Sequence, residues 1–316
     1  MILIRKKKLN IGHLSTAYHT NFVLMNNKEF KNDLNKDINW ILFGTGPEMV
    51  QAFKNEELDI GYMGLPPAII GIDNGVPIKC IAGGHIEGTI MIGKKTHKNL
   101  SQLKENIYEA LAQYKGKIIG VPSKGSIHDV ILNHYLEKYN LLNEIKVINY
   151  KQAEFIAIDI GKNILEAGVG TPSLAVFAST IFNSQIIIPP SFLWPYNPSY
   201  GIFLHKNLIE NQPEMVLKFL THHKKASELL RNSPFRAAEL ISKNIKIISK
   251  NYVQSVLKIS PKYCISLSEG YVNSTIDFVK ILFSLNHIKR ILKKKEIFNF
   301  KFIHQIHPES EHYMIT

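Results

Sequence analysis

Trp40-Ile41-Leu42-Phe43-Gly44-Thr45-Gly46-Pro47-Glu48-Met49-Val50-Gln51-Ala52-Phe53 passes from one kind of periodicity to another. Trp40–Phe43 is a short apolar run of strand type. It ends in two glycines and a proline, and Met49, Val50, Ala52 and Phe53 then recur at helical spacing. A strand, a turn and a helix in that order form the repeating unit of an α/β fold. Leu58-Asp59-Ile60-Gly61-Tyr62-Met63-Gly64 supplies another strand, closed by Leu65-Pro66-Pro67-Ala68.

Outward from this centre the pattern repeats. Leu9–Leu14 reads as a first strand, and Ser15–Thr20 leads from it into a helix carrying Phe22, Val23 and Met25. Ile78–Ala82 is a strand that runs into Gly83-Gly84-His85, read as a loop, before Ile90-Met91-Ile92. A helix around Leu100–Gln113 precedes a restart at Lys117–Pro122. There Ser123-Lys124-Gly125-Ser126 opens a helix with Val130, Ile131 and Leu132. Strands follow at Lys146–Tyr150 and Ile186–Ile188, with Thr171-Pro172-Ser173 interrupting Ala167–Ala178. From Pro213 to about Leu292 the periodicity is helical. These blocks predict two lobes: residues 1–92 with 201–316, including a C-terminal helical extension, and an inserted lobe at 93–200.

Composition bounds the function. The chain has 316 residues, 45% hydrophobic and 20% charged, ample for one or two cores and unlike a disordered or fibrous chain. No stretch approaches the ~18–20 apolar residues of a membrane-spanning helix. Cys80 and Cys264 lie far apart without metal-ribbon or disulfide spacing and read as small buried hydrophobes. The net charge of +12 is assigned to a solvated basic face rather than to nucleic acid. The lysine runs at 6–8 and 293–295 sit at the chain's edges without interleaved aromatic residues. The basic start is followed at once by the first strand, with neither an apolar leader run nor a lipobox cysteine. The expected location is therefore cytoplasmic, or extracytoplasmic if a leader is missing from the sequence.

Chemistry in such a fold collects at the carboxyl ends of strands, where helix N-termini point. Ser126 with Asp129 resembles a capping box, Thr171 precedes a proline at the first helical position, and Gly46-Pro47-Glu48 is a third helix start. Each presents unpaired N–H groups and about half a positive charge to an anion. Nucleotide sites fail on spacing. Met49 occupies the third glycine position of a dinucleotide fingerprint, and no GxxxxGK[ST] is present. A nucleophile elbow is missing too. Among the histidines, His19, His85 and His128 fall in predicted loops and are the alternative metal or metal-chelate ligands. His222-His223 reads as surface. His304, His307 and His312 read as a docking or packing feature of the tail. Phe192, Trp194, Tyr196 and Tyr200 would either wall a pocket or pack a crossover.

Phe43–Phe53, Leu58–Ile69 and Gly75-Val76-Pro77-Ile78 together resemble the nitrate/sulfonate/taurine-type (NMT1/SsuA-like) substrate-binding proteins of ABC transporters. Lys115-Gly116-Lys117-Ile118-Ile119-Gly120-Val121-Pro122 resembles the strand that opens their second lobe, and Asn211–Leu220 their return helix. The likeness covers roughly residues 9–240 and implies the type II periplasmic-binding-protein fold. Ile306-His307-Pro308-Glu309 is associated with signal-less archaeal members. The fold also hosts the pyrimidine synthase of thiamine biosynthesis, whose lysine and histidine positions fall here on Met63 and Pro67. Its cysteine motif falls near Tyr196–Tyr200, so that chemistry is missing; enzymes of menaquinone biosynthesis match no motif.

The reading is a non-catalytic solute-binding protein without cofactor, closing on a small anionic organic ligand and serving an ABC permease. A cofactor-pathway enzyme of the same fold is the alternative. Ser15, Thr16, His19, Thr45, Gly46, Gly64, Pro66 and His85 are expected to line the first lobe's wall. Ser123, Lys124, Ser126, His128, Thr171 and Ser173 are expected on the second, with Lys124 supplying charge. Gly170–Ser173 stands where family members often carry an acidic or Trp-Glu-Pro loop, so a sulfonate or amine is not implied.

Overall fold

A computed structural model describes residues 8–313; Lys6 and Lys7 of the N-terminal basic run lie outside it. The chain begins with β1 (Lys8–His13), α1 (Asn21–Leu24), α2 (Lys28–Leu34), β2 (Asp37–Leu42), α3 (Gly46–Lys54), β3 (Ile60–Met63), α4 (Leu65–Asp73) and β4 (Ile78–Ile86). It continues through β5 (Ile90–Lys94), α5 (Ile107–Ala112), β6 (Ile118–Pro122), α6 (Ile127–Lys138), β7 (Lys146–Tyr150), α7 (Glu154–Gly161), β8 (Ala167–Gly170), α8 (Pro172–Ile181) and β9 (Ser184–Ile188). The last part is β10 (Pro198–His205), α9 (Lys206–Asn211), α10 (Pro213–Asn232), α11 (Pro234–Asn244), α12 (Lys250–Ile259), α13 (Glu269–Ser284), α14 (Lys294–Ile297) and α15 (Ile303–Ile306). The helix expected at 100–113 is broken into a 3₁₀ turn, Ser101–Leu103, and α5. Lys104 and Glu105 adopt left-handed φ values of 51° and 62°, which an α-helix cannot continue through.

Two five-stranded sheets result, in the orders β2-β1-β3-β10-β4 and β7-β6-β8-β5-β9. In each, four strands share one direction and the strand fourth in that order is antiparallel to both its neighbours. That antiparallel strand is the one reached by crossing from the other sheet: β5 after β4, and β10 after β9. By sheet membership the outgoing crossover falls at 87–89, ahead of the expected boundary after residue 92. The return ends with β10 starting at Pro198.

His85 shows why Gly83-Gly84 misleads. A Cβ on Gly84 would lie 2.1 Å from the Tyr200 ring, and one on Gly83 would lie 1.9 Å from the Tyr313 hydroxyl. These glycines admit aromatic side chains against a continuous strand and make no turn, so His85 sits inside β4 and is fully buried. The outer edge of β4 is covered by the segment around residues 260–267, where Gly83 N–H donates to Ile265 O (2.8 Å) and Ile86 N–H to Lys262 O (3.2 Å). His222 and His223, expected at the surface, are buried because α10 is held on two sides. His223 bridges the Thr20 hydroxyl (2.9 Å) and the Gly83 carbonyl (2.9 Å), while His222 Nε2 reaches Asp33 of α2 at 3.0 Å. Among the described residues no helix is long and apolar enough to cross a membrane.

Candidate ligand cleft

Parallel strands deliver their carboxyl ends to one side of each sheet, and the helices that follow must start there. α3, α4, α6 and α8 all begin beside a single cleft of about 970 Å³, lined from both sheets. Gly46 permits the closest of these approaches, since a Cβ there would lie 2.7 Å from Pro67 Cγ. The starts of α3 and α4 therefore touch. Each helix start contributes outward N–H groups and roughly half a positive charge.

Three hydroxyls cap these helices. Thr45 Oγ1 accepts from Glu48 N–H (3.3 Å), Ser126 Oγ from Asp129 N–H (3.3 Å) and Thr171 Oγ1 from Leu174 N–H (3.2 Å). A hydroxyl that accepts in this way still has its own proton to donate. Four further polar atoms on the cleft wall are buried and without any partner: Thr16 Oγ1, His19 Nδ1, Ser123 Oγ and Ser173 Oγ. Two come from the loop after β1, one from the loop after β6 and one from the first turn of α8. Unpaired buried polar groups cost ~1–3 kcal/mol each, and these four belong to residues that line one cavity, where a guest would complete their hydrogen bonding.

The cleft histidines are neutral. Burial holds His19 well below the usual imidazole value, helped by His85 and His13, and it holds His128 at about 4. His19 stacks on Tyr200 (ring centroids 3.9 Å apart) and meets Tyr18 edge-on. His128 Nδ1 pairs with the Thr89 hydroxyl at 3.0 Å. These rings offer single hydrogen bonds and no charge.

Of the expected site residues, Ser15, Thr16, His19, Thr45, Gly46, Gly64, Ser123, Ser126, His128, Thr171 and Ser173 line the cleft. Pro66, His85 and Lys124 do not. Pro67 takes the place of its neighbour Pro66 at the wall. His85 donates from Nε2 to the Ser260 carbonyl (2.6 Å) behind it. Lys124 is solvent-exposed and precedes Gly125, whose φ is +78°. The cation that does line the cleft is Lys151, itself exposed. His19, His85 and His128 do not assemble as metal ligands. The Cys/His/Asp/Glu group whose ligand atoms converge among the described residues is a different one.

The sequence reading missed much of the apolar wall. Leu14, Phe22, Trp40, Leu42, Leu174 and Phe177 line it, as do Ile245, Ile247 and Ile248 between α11 and α12. Ile247 is 91% exposed, and an apolar run in a loop is the one signal that pointed there. Two polar contacts join the walls: Ser15 Oγ donates to Glu154 Oε1 (3.2 Å), and the Tyr252 hydroxyl of α12 donates to the Ser173 carbonyl (2.9 Å). Phe192, Trp194, Tyr196 and Tyr200 pack the crossover. Trp194 stacks on Phe278 at 4.6 Å and donates from Nε1 to Ser274.

Similar proteins carry this same layout. The alkanesulfonate-binding protein SsuA of Xanthomonas axonopodis pv. citri, described as bound to MOPS, superposes with a TM-score of 0.76. It shares 13% identity, over 92% of this chain and 98% of that one. The periplasmic aliphatic sulphonate-binding protein SsuA of Escherichia coli gives 0.77 at 14% identity, over 93% and 92%. The periplasmic nitrate-binding protein NrtA of Synechocystis gives 0.74 at 9%, over 95% and 88%. These likenesses establish the two-lobed α/β periplasmic-binding-protein fold. A binding protein of Brucella abortus is 22% identical over 212 residues, 66% of this chain, and the match spans 62% of that relative's length. The curated relatives are bacterial, so the expected archaeal affinity has no support. The model of the NMT1-like family matches residues 4–245, more than half of the sequence, and the chain belongs to that family.

Proposed function

We propose that the protein is a solute-binding component of an ABC importer that captures a small organic anion between two lobes. The lobes are taken from the sheets, residues up to 86 with 198 onward against 90–188. The observation that carries the reading is the set of unpartnered buried groups Thr16, His19, Ser123 and Ser173, drawn from both walls of one cleft.

Helix starts and hydroxyl protons favour negative charge. With neutral histidines and only an exposed lysine at the wall, they suit one delocalised charge better than a dianion. The apolar remainder of the wall fits a hydrocarbon or aromatic body. A volume of about 970 Å³ lies at the upper end of ligand pockets, ~300–1,000 Å³. Periplasmic relatives of this fold support an extracytoplasmic setting and an ABC permease as partner.

Calorimetry on an organic sulfonate or carboxylate series, each paired with its uncharged amide isostere, tests the charge preference. Anions binding at least ~10-fold more tightly than their isosteres are expected. Equal affinity, or binding that survives Thr171→Val combined with Ser123→Ala, overturns the proposal.

A further inference from the structure

Away from the cleft, Cys264 Sγ, His307 Nε2 and His312 Nδ1 form a closed triangle. The sulfur lies 3.3 Å from His307 Nε2 and 3.7 Å from His312 Nδ1, and the two nitrogens are 3.3 Å apart. We propose that these three side chains are the protein ligands of a tetrahedral divalent metal site, taking Zn²⁺ first, that fastens the C-terminal tail to the edge of the first sheet.

Distances carry the argument. Zn–N bonds of ~2.0–2.1 Å and Zn–S bonds of ~2.3 Å at a tetrahedral angle put the ligand atoms ~3.4 Å (N to N) and ~3.6 Å (N to S) apart. The triangle comes within ~0.3 Å of those edges. It is a poor set of hydrogen bonds by comparison. The nitrogens stand beyond the usual ~2.7–3.2 Å range, and one imidazole N–H would have to serve both the other ring and the sulfur, because a ring nitrogen either donates or accepts.

The fold delivers the three ligands from separate places. Cys264 is buried, 1% exposed, in the segment that covers the outer edge of β4. His307 caps the end of α15, donating its N–H to Ile303 O (2.8 Å). His312 comes back over that segment, held beside it by Tyr313, whose hydroxyl donates to the Ser266 carbonyl at 2.8 Å. Lys224 and Arg231 flank the cluster but are occupied elsewhere. Lys224 contacts Glu309 and the Ile306 carbonyl, and Arg231 donates to the Tyr263 carbonyl. Glu309 Oε1 lies 3.7 Å from His307 Nε2 but is paired with Lys224, which leaves the fourth position to water. On binding, Cys264 gives its thiol proton to solvent, a Zn–S bond forms, and the metal sheds coordinated water.

The test uses the full chain, stripped with a chelator, reloaded with Zn²⁺ and analysed for metal after gel filtration. In parallel, Co²⁺ is added and its absorption recorded. One equivalent of retained Zn²⁺ and a thiolate-to-cobalt charge-transfer band are expected. Cys264→Ser should abolish the band, His312→Ala should weaken Zn²⁺ binding at least ~10-fold, and His304→Ala, at an exposed position of α15, should change neither. Circular dichroism checks that the variants fold. If Cys264→Ser does not fold, the wild-type cobalt spectrum decides. Substoichiometric Zn²⁺, a cobalt spectrum without the thiolate band, or full retention by Cys264→Ser overturns the assignment.

Discussion

Replacing Thr171 by valine separates what a helix needs from what a ligand needs. The substitution keeps the shape and removes the hydroxyl. On the protein side it deletes the cap on α8, where Thr171 Oγ1 accepts from Leu174 N–H at 3.2 Å, at a cost of ~1 kcal/mol. For a chain of this size that lowers the melting temperature by roughly 2 °C. On the ligand side it deletes a donor at the cleft wall. A hydrogen bond to a charged group is worth ~1.5–3 kcal/mol, so the dissociation constant should rise ~10- to ~150-fold. Asn106→Ala is the control. Asn106 caps α5 by accepting from Glu109 N–H at 3.2 Å, outside the cleft, and should cost similar stability without touching affinity. Calorimetric titration with the co-purified ligand identified by native mass spectrometry, or otherwise with a short alkanesulfonate, measures both variants. An affinity for Thr171→Val within ~2-fold of wild type, despite the lowered melting temperature, would falsify the assignment of Thr171 to the ligand.

Lys124→Ala should leave affinity unchanged, whereas Lys151→Ala should weaken it by up to ~5-fold, an exposed charge being worth at most ~1 kcal/mol; a titration in which Lys124 matters more contradicts the cleft described here. Stability should fall on acidification. Burial holds His85, His128 and His223 at about 4, against ~6.5 unfolded, so the unfolded chain takes up protons that the folded one does not. The contribution is full above ~pH 6.5, declines by up to ~1.4 kcal/mol per pH unit per histidine, and is lost below ~pH 4. Urea midpoints at pH 7.5 and pH 5 check this, and a midpoint at pH 5 no lower than at pH 7.5 counts against it.

The parts of this account that were legible in the sequence are those punctuated by backbone chemistry. Gly44–Pro47, Ser126 with Asp129, and Thr171-Pro172 mark helix starts because caps and N-terminal prolines are local devices, and all of them reach the cleft wall. Features set by distant packing could not be read locally. Gly83-Gly84 resembles a turn until Tyr200 and Tyr313 are seen to need the space. His222 and His223 look solvated beside two lysines until α10 is placed between α2 and the first sheet. Cys264 and His312 stand far apart in sequence, and only the returning tail brings them within 3.7 Å. Lys124 failed because its neighbours Ser123 and Ser126 line the cleft while its own side chain is solvent-exposed and off the wall, which local spacing does not reveal.

A crystal structure of the protein purified with its natural ligand bears most directly on the cleft. The account predicts that the guest's charged group bonds Thr16 or His19 on one wall and Ser123, Ser173 or a helix-start N–H on the other. A guest held by one wall alone, or seated outside the space between β1, β6 and β8, would contradict it.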